Sequence, residues 1–167
     1  MKKFLSAVVV VAAIAAISVT SLAAEADVSA ADKAERKAFK ESISQQISEV
    51  KEVRTALKTQ RAQNKELASA VKTVLKEDKK SEEPAISKDT RAQIKLLLEE
   101  IKGVHTELKA TRPDVEAARA ALKEAIQALD EADATAACDT LADLLSGKLE
   151  LREDITGVLG EIDALMD

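Results

Sequence analysis

Residues 39–75 read FKESISQQISEVKEVRTALKTQRAQNKELASAVKTVL, and their spacing decides the fold. Every seventh residue gives Ile43, Val50, Leu57, Asn64 and Val71. Three residues further on, a second line gives Gln46, Val53, Gln60, Leu67 and Val74, with Phe39 one heptad before it. Two such lines are the a and d positions of a helix that buries one narrow stripe against other helices.

The seam returns 51 residues later, with Ile94, Ile101, Leu108, Val115, Leu122 and Leu129 at a. Its d positions are Leu97, Val104, Thr111, Ala118 and Ala125. The stretch from Val50 to Lys58 also aligns residue by residue with that from Ile101 to Lys109, which reads as a long helix followed by a diverged second copy.

Composition supports the same reading. Of 167 residues, 46% are apolar and 33% charged, but only Phe4 and Phe39 are aromatic, and there are four Gly and two Pro. Long helices have this composition. A small-molecule pocket or a base-stacking platform calls for aromatics and glycine-rich loops, so neither a small-molecule substrate nor nucleic acid is expected as partner.

The amino terminus reads as an export signal. Lys2 and Lys3 are followed by the apolar run 7–19 and by small residues offering cleavage after Ala23 or after Ala26. This is the pattern of a secretory signal peptide. Residues 1–26 are therefore expected to be removed, leaving 27–167 as one elongated domain in the periplasm, the cell envelope or the medium. Contact with a membrane is expected only through an uncleaved signal, since residues 4–24 are uncharged and long enough to span.

The first helix is expected from about residue 29, capped by Ser29, to about 77, and the second from about 88 after a charged link containing Pro84. Pro113 falls inside the second helix, but the a/d phase passes it unchanged, favouring a kink over a break. The acidic stretch 130–135 interrupts the pattern near 131, and Asp133 reads as the cap of a last helix over 134–166. That helix carries Leu141, Leu144, Leu151, Ile155, Val158, Ile162 and Leu165, and Leu145, Leu149 and Leu159 widen the stripe enough to face two neighbours. The expected fold is thus all-α: a long antiparallel helical hairpin of coiled-coil type, with a third C-terminal helix completing an up-down-up bundle.

Charge divides along the chain. Residues 29–80 hold 13 Lys/Arg against 8 Asp/Glu, net +5, whereas residues 113–167 hold 4 against 14, net −10. A basic first helix beside an acidic last one is expected to add attraction.

No nucleophile elbow, phosphate loop, His-Glu-x-x-His motif or calcium loop occurs, so no catalytic residue, metal ligand or cofactor is expected. His105 stands alone. Cys138 is the only cysteine and so is a candidate for an intermolecular disulfide. Asn64, Gln46 and Gln60 on the seam are expected to fix register at a cost in stability. The interaction residues are the seam itself: Ile43, Val50, Val53, Leu57, Asn64, Leu67 and Val71 on the first helix, and Ile94, Leu97, Ile101, Val104 and Leu108 on the second. Leu144, Leu151, Ile155, Val158 and Ile162 represent the third.

In general character the chain is similar to exported bacterial helical-hairpin proteins, small periplasmic chaperones among them. Those chaperones carry a Leu-Thr-x-x-Gln signature, which Leu57-Lys58-Thr59-Gln60 and Thr90-Arg91-Ala92-Gln93 do not match, so the likeness is architectural and transfers no residue. The expected role is non-enzymatic: protein–protein interaction or envelope structure, the partner being a second copy or another exported protein. An extracytoplasmic chaperone holding unfolded clients is the alternative, and a peripheral membrane-surface helix protein the weaker one.

Overall fold

Heptad phase carries the chain through three rods. The computed structural model describes residues 30–166, so the signal-type segment 1–26 and the Ser29 cap lie outside the described residues. The first rod consists of α1 (Ala30–Ser42) and α2 (Ser44–Lys80). Ile43 between them keeps helical bonding, donating to the Phe39 carbonyl at 3.3 Å and accepting from Ile47 N at 3.1 Å. The bend has a local cause. Ser42 Oγ donates to the Phe39 carbonyl at 2.9 Å and Ser44 Oγ to the Glu41 carbonyl at 2.8 Å. Hydroxyls bonding back to the preceding turn bend helices in this way.

The link after Lys80 is pinned at both ends. Ser87 caps α3 (Lys88–Ala110), its hydroxyl accepting from Thr90 N at 3.0 Å. Asp78, near the end of α2, accepts from Ile86 N at 3.0 Å and from the Arg91 guanidinium. Ile86 is thereby drawn into the core.

Thr111 separates α3 from α4 (Arg112–Ala128) without breaking the second rod. Its N–H still donates to the Glu107 carbonyl, its carbonyl accepts from Val115 N, and both distances are 3.2 Å. Pro113 falls in the first turn of α4, where the missing N–H costs no helical bond. Leu108 and Val115 are both buried, so the seam passes the bend in phase.

The second reversal differs from the sequence expectation. Leu129 takes φ 56°, ψ 31°, a left-handed conformation unusual for a leucine. The N–H of Asp130 reaches back to the Ala125 carbonyl at 3.0 Å, the long bond of a Schellman-type closure. Asp130 then caps α5 (Glu131–Ala164), its carboxylate accepting from Asp133 N at 2.9 Å. The cap is therefore Asp130 and not Asp133. The acidic stretch forms the first turn, where carboxylates favour the helix dipole, instead of a loop.

α5 is the central element. It is close-packed against α2, α3 and α4, whereas α2 and α3 are not close-packed against each other. Near the link, Val71, Ile94, Ile101 and Leu108 share a core with Ile155, Val158, Leu159 and Ile162. Val50, Val115 and Ala118 surround Cys138, Leu141 and Leu145 in the middle, and Phe39, Ile43, Ala125 and Ala134 close the far end. Among the described residues no ion pair joins the first rod to the last; the pairs lie within a helix or across the link. The attraction expected between a basic first and an acidic last helix is thus not carried by close ion pairs, and the contact that docks α5 is mainly apolar.

One polar layer interrupts the apolar contact. Asn64, 7% exposed, donates through Nδ2 to the Arg152 carbonyl at 2.8 Å and accepts from the Thr156 hydroxyl. Gln60 Nε2 donates to the same hydroxyl. The polar seam residues thus fix the register of α5 against α2 within one chain. Gln46, by contrast, has no hydrogen bond at its buried Oε1.

Two predictions follow from these contacts. Asn64→Ala should cost about 1–3 kcal/mol in urea unfolding, two buried hydrogen bonds at about 0.5–1.5 kcal/mol each. With Thr156→Val it should be non-additive by about 0.5–1.5 kcal/mol; additive costs would mean the two side chains do not cooperate. The Ile86 N–H first, and then Arg91, hold the Asp78 carboxyl below the usual aspartate range. A depressed folded value stabilises above the unfolded pKa of about 3.9 and is lost as pH falls through the folded value. Thermal melts from about pH 7 to about pH 2 should therefore show a shallower acid loss for Asp78→Asn, from a lower starting midpoint.

Candidate functional site: a cation-lined groove along the bundle

α2 and α3 meet through α5, and a groove runs along the line where the three rods converge. Beneath it lies one stripe of α5, Cys138, Leu141, Leu145, Lys148, Arg152, Ile155 and Leu159, stepping alternately by three and four. Its apolar members are buried, so the part of the stripe that solvent reaches is chiefly Lys148 and Arg152. The wall on the second rod repeats the steps from Leu98 through Ile101, His105, Leu108, Arg112, Val115, Arg119 and Leu122 to Ile126. On the first rod Lys40, Ile43, Ile47, Val50, Arg54, Leu57, Arg61, Asn64, Ala68, Val71 and Leu75 do the same. Steps of three and four keep residues on one helix face, so each rod presents a single stripe. From Lys40 to Leu75 the groove is about 50 Å long at 1.5 Å per residue.

Three contiguous sections make up the groove. The section nearest the link holds about 930 Å³, the middle about 340 Å³ and the far one about 500 Å³. Arg61, Arg112, Lys148 and Arg152 border the first two, and Arg119 borders the middle and far ones.

Charge in the groove is one-sided. Among the described residues, twelve Lys or Arg line it against one carboxylate, Glu116, in a chain of net charge −5. Of the four cations in residues 113–167, three (Arg119, Lys148 and Arg152) lie here. Only Arg112 of the twelve is ion-paired, with Glu116 at 2.7 Å. Lys148 and Arg152 occupy floor positions that the heptad would give to leucine. Burial lowers the pKa of the Lys148 ammonium, and Arg152, Arg119 and Arg112 lower it further, against a small opposing pull from Glu116. Burial, then Arg61, acts on Arg152 in the same direction. The fold holds mutually repelling cations together in a partly desolvated place, an arrangement that an anion would relieve.

Comparison with known proteins returns no match: no family model, curated protein or solved structure is significantly similar to this chain. Among the described residues no group of His, Cys, Asp and Glu converges as a metal site would, and no helix is long and apolar enough to cross a membrane.

The seam residues belong to the core. Ile43, Val50, Val71, Ile94, Ile101, Leu108, Ile155, Val158 and Ile162 are buried in it, with Val53, Leu57, Leu67, Leu97, Val104, Leu144 and Leu151 partly buried beside it. Asn64 is the buried polar member, and Ile43, Val50, Leu57, Asn64, Val71, Ile101, Leu108 and Ile155 also lie beneath the groove. On α5 the buried leucines are Leu141, Leu145 and Leu159, with Leu144 partly buried beside them. Lys148 and Arg152, which a count of three and four from Cys138 reaches, lie outside the expected stripe. Cys138 is 1% exposed, and burial, with the charge of Asp139, raises its thiol pKa. In this packing it is closed to an intermolecular disulfide. His105 borders the groove as an exposed wall residue.

Cations on the floor weaken the fold they sit in. Lys148→Leu and Arg152→Leu should each raise stability by about 0.5–2 kcal/mol, the range typical of removing such a local conflict. Differential scanning calorimetry checks this, and a lowered midpoint would show that these side chains support the bundle as they stand.

Proposed function

We propose that this protein is a non-catalytic interaction module that docks another protein along its cation-lined groove, acting outside the cytoplasm after loss of its N-terminal signal. The observation that carries the reading is the collection of charge there: twelve Lys or Arg against one carboxylate, in a chain of net charge −5. Such a surface attracts a partner of opposite charge and steers its approach.

Two copies meeting groove to groove would set like charges face to face, since a two-fold contact uses the same surface twice. That favours a different protein as partner. Holding of unfolded clients is less well matched, because the apolar side chains beneath the groove are buried and offer such a client little surface. The export half of the proposal rests on residues 1–26, with Lys2 and Lys3 ahead of an apolar run and small residues after it.

Titration of the isotope-labelled protein, residues 27–167, with a helical peptide of about four heptads carrying Glu on one face tests the docking reading. Amide shifts should cluster on groove residues such as Arg61, Lys65, Lys148 and Arg152. Shifts elsewhere, or none, combined with suppressed aggregation of an unfolding client, would favour the chaperone reading instead. Mass spectrometry of the exported chain should find the new amino terminus between residues 24 and 27; an intact residue 1 would overturn export by cleavage.

A further inference from the structure

We infer that the middle section of the groove is a binding site for a compact oxyanion of two linked phosphate groups, held between Lys58, Arg61, Arg112, Arg119, Lys148 and Arg152. The inference stands apart from the docking reading, because it concerns a small ligand that needs no apolar surface.

Convergence is the first observation. Six Lys or Arg line this section of about 340 Å³. They come in pairs from three helices: Lys58 and Arg61 from α2, Arg112 and Arg119 from α4, Lys148 and Arg152 from α5. Among the described residues the one carboxylate there is Glu116, bonded to Arg112 at 2.7 Å. Six cations against one carboxylate leave five positive charges around a small space.

Depth is the second. Lys148 and Arg152 are partly buried at the bottom of the section, while Arg61, Arg112 and Arg119 stand exposed at its rims. Beneath them Val115 and Leu145 are packed into the core, so the section offers a ligand charge and not apolar area. Burial, then Arg152, Arg119 and Arg112, disfavour the charged form of Lys148, and burial and Arg61 act likewise on Arg152. An anion seated among these groups offsets their repulsion.

Charge and donor number select the chemistry. A guanidinium offers five N–H donors in a planar fork that suits carboxylate or phosphate, and an ammonium offers three. A carboxylate brings a single charge and two oxygens. A phosphate monoester brings a charge of about −1.5 to −2 and three acceptor oxygens. Two linked phosphates therefore come closer to balancing five positive charges in one small volume. Length agrees. Arg112 and Arg119 are seven residues apart, about 10 Å along α4, so a linked pair meets both more readily than one phosphate does. A nucleotide base would want a face to stack on, and no aromatic side chain lines this section among the described residues.

Isothermal titration calorimetry of the protein spanning residues 27–167 with inorganic pyrophosphate, at a fixed ionic strength of about 0.15 M, tests the site. One site should titrate, at least about tenfold tighter than with sulfate or citrate. Lys148→Gln/Arg152→Gln should lose at least about tenfold in affinity. Lys76→Gln/Lys80→Gln, exposed on α2 outside the groove, should lose none. Should the first variant lose helicity by circular dichroism, the exposed rim pair Arg61→Gln/Arg119→Gln carries the same test. Methyl diphosphate, which presents the same group with one end blocked, separates two sources of it. Affinity within about threefold of pyrophosphate assigns the site to the end of a larger molecule, and a loss of at least about tenfold assigns it to the free anion. Either result upholds the site. Equal affinity for sulfate and pyrophosphate, or equal loss in both variants, would mean diffuse attraction and overturn it. Tighter binding of citrate overturns the phosphate chemistry in favour of carboxylates. No binding of pyrophosphate up to about 1 mM overturns the inference whatever the peptide titration shows.

Discussion

α5 has to satisfy two rods that do not satisfy each other. Its broad apolar surface meets α2 along one side and α3 and α4 along the other, so nearly every buried contact between helices runs through it. Aromatic side chains normally supply bulk at such a junction. This chain has only Phe39 among its described residues, so the junction is closed by Leu, Ile, Val and Ala. Small aliphatic side chains close a narrow seam well, and the groove lies over the seam they close.

Register ties the scaffold to the groove. Asn64 bonds to the backbone carbonyl of Arg152, and Thr156 one turn on completes the layer. The same residue that anchors α5 through its main chain thus sends its guanidinium to the groove floor. A slip of α5 by one heptad would bring Leu145 or Leu159 to that level and scatter the cations. Asn64 is in this sense the reason that charges drawn from three helices meet at one height. It is also where stability is given up for placement, since a polar seam residue buries less than a leucine would.

Most of the architecture was legible in the sequence, because heptad spacing is a statement about which face is buried. The seam positions Ile43, Val50, Val71, Ile94, Ile101 and Leu108 are all buried, and the seam crosses Pro113 without losing phase. The misreadings have local physical causes. Two serines beside Ile43 bend the first rod by bonding backwards, which no hydrophobic count records. A leucine in a left-handed conformation shortens the last turn and moves the cap of α5 from Asp133 to Asp130. Charge summed by segment suggested attraction between first and last rods, but the cations of α5 face the same groove as those of α2. Sums lose direction. A helical-wheel reading of residues 138–159 that kept charged residues in the count would have found the floor.

Cys138 lies under the far section of this groove, closed in by Val50, Leu141 and their neighbours. A thiol in that position reacts with an alkylating reagent only when the bundle opens, because burial both shields it and, while closed, raises its pKa. The single thiol therefore acts as a native clock for breathing of the helices. Its labelling rate, followed with and without a bound ligand, would measure how far a guest in the groove keeps the outer rods from parting.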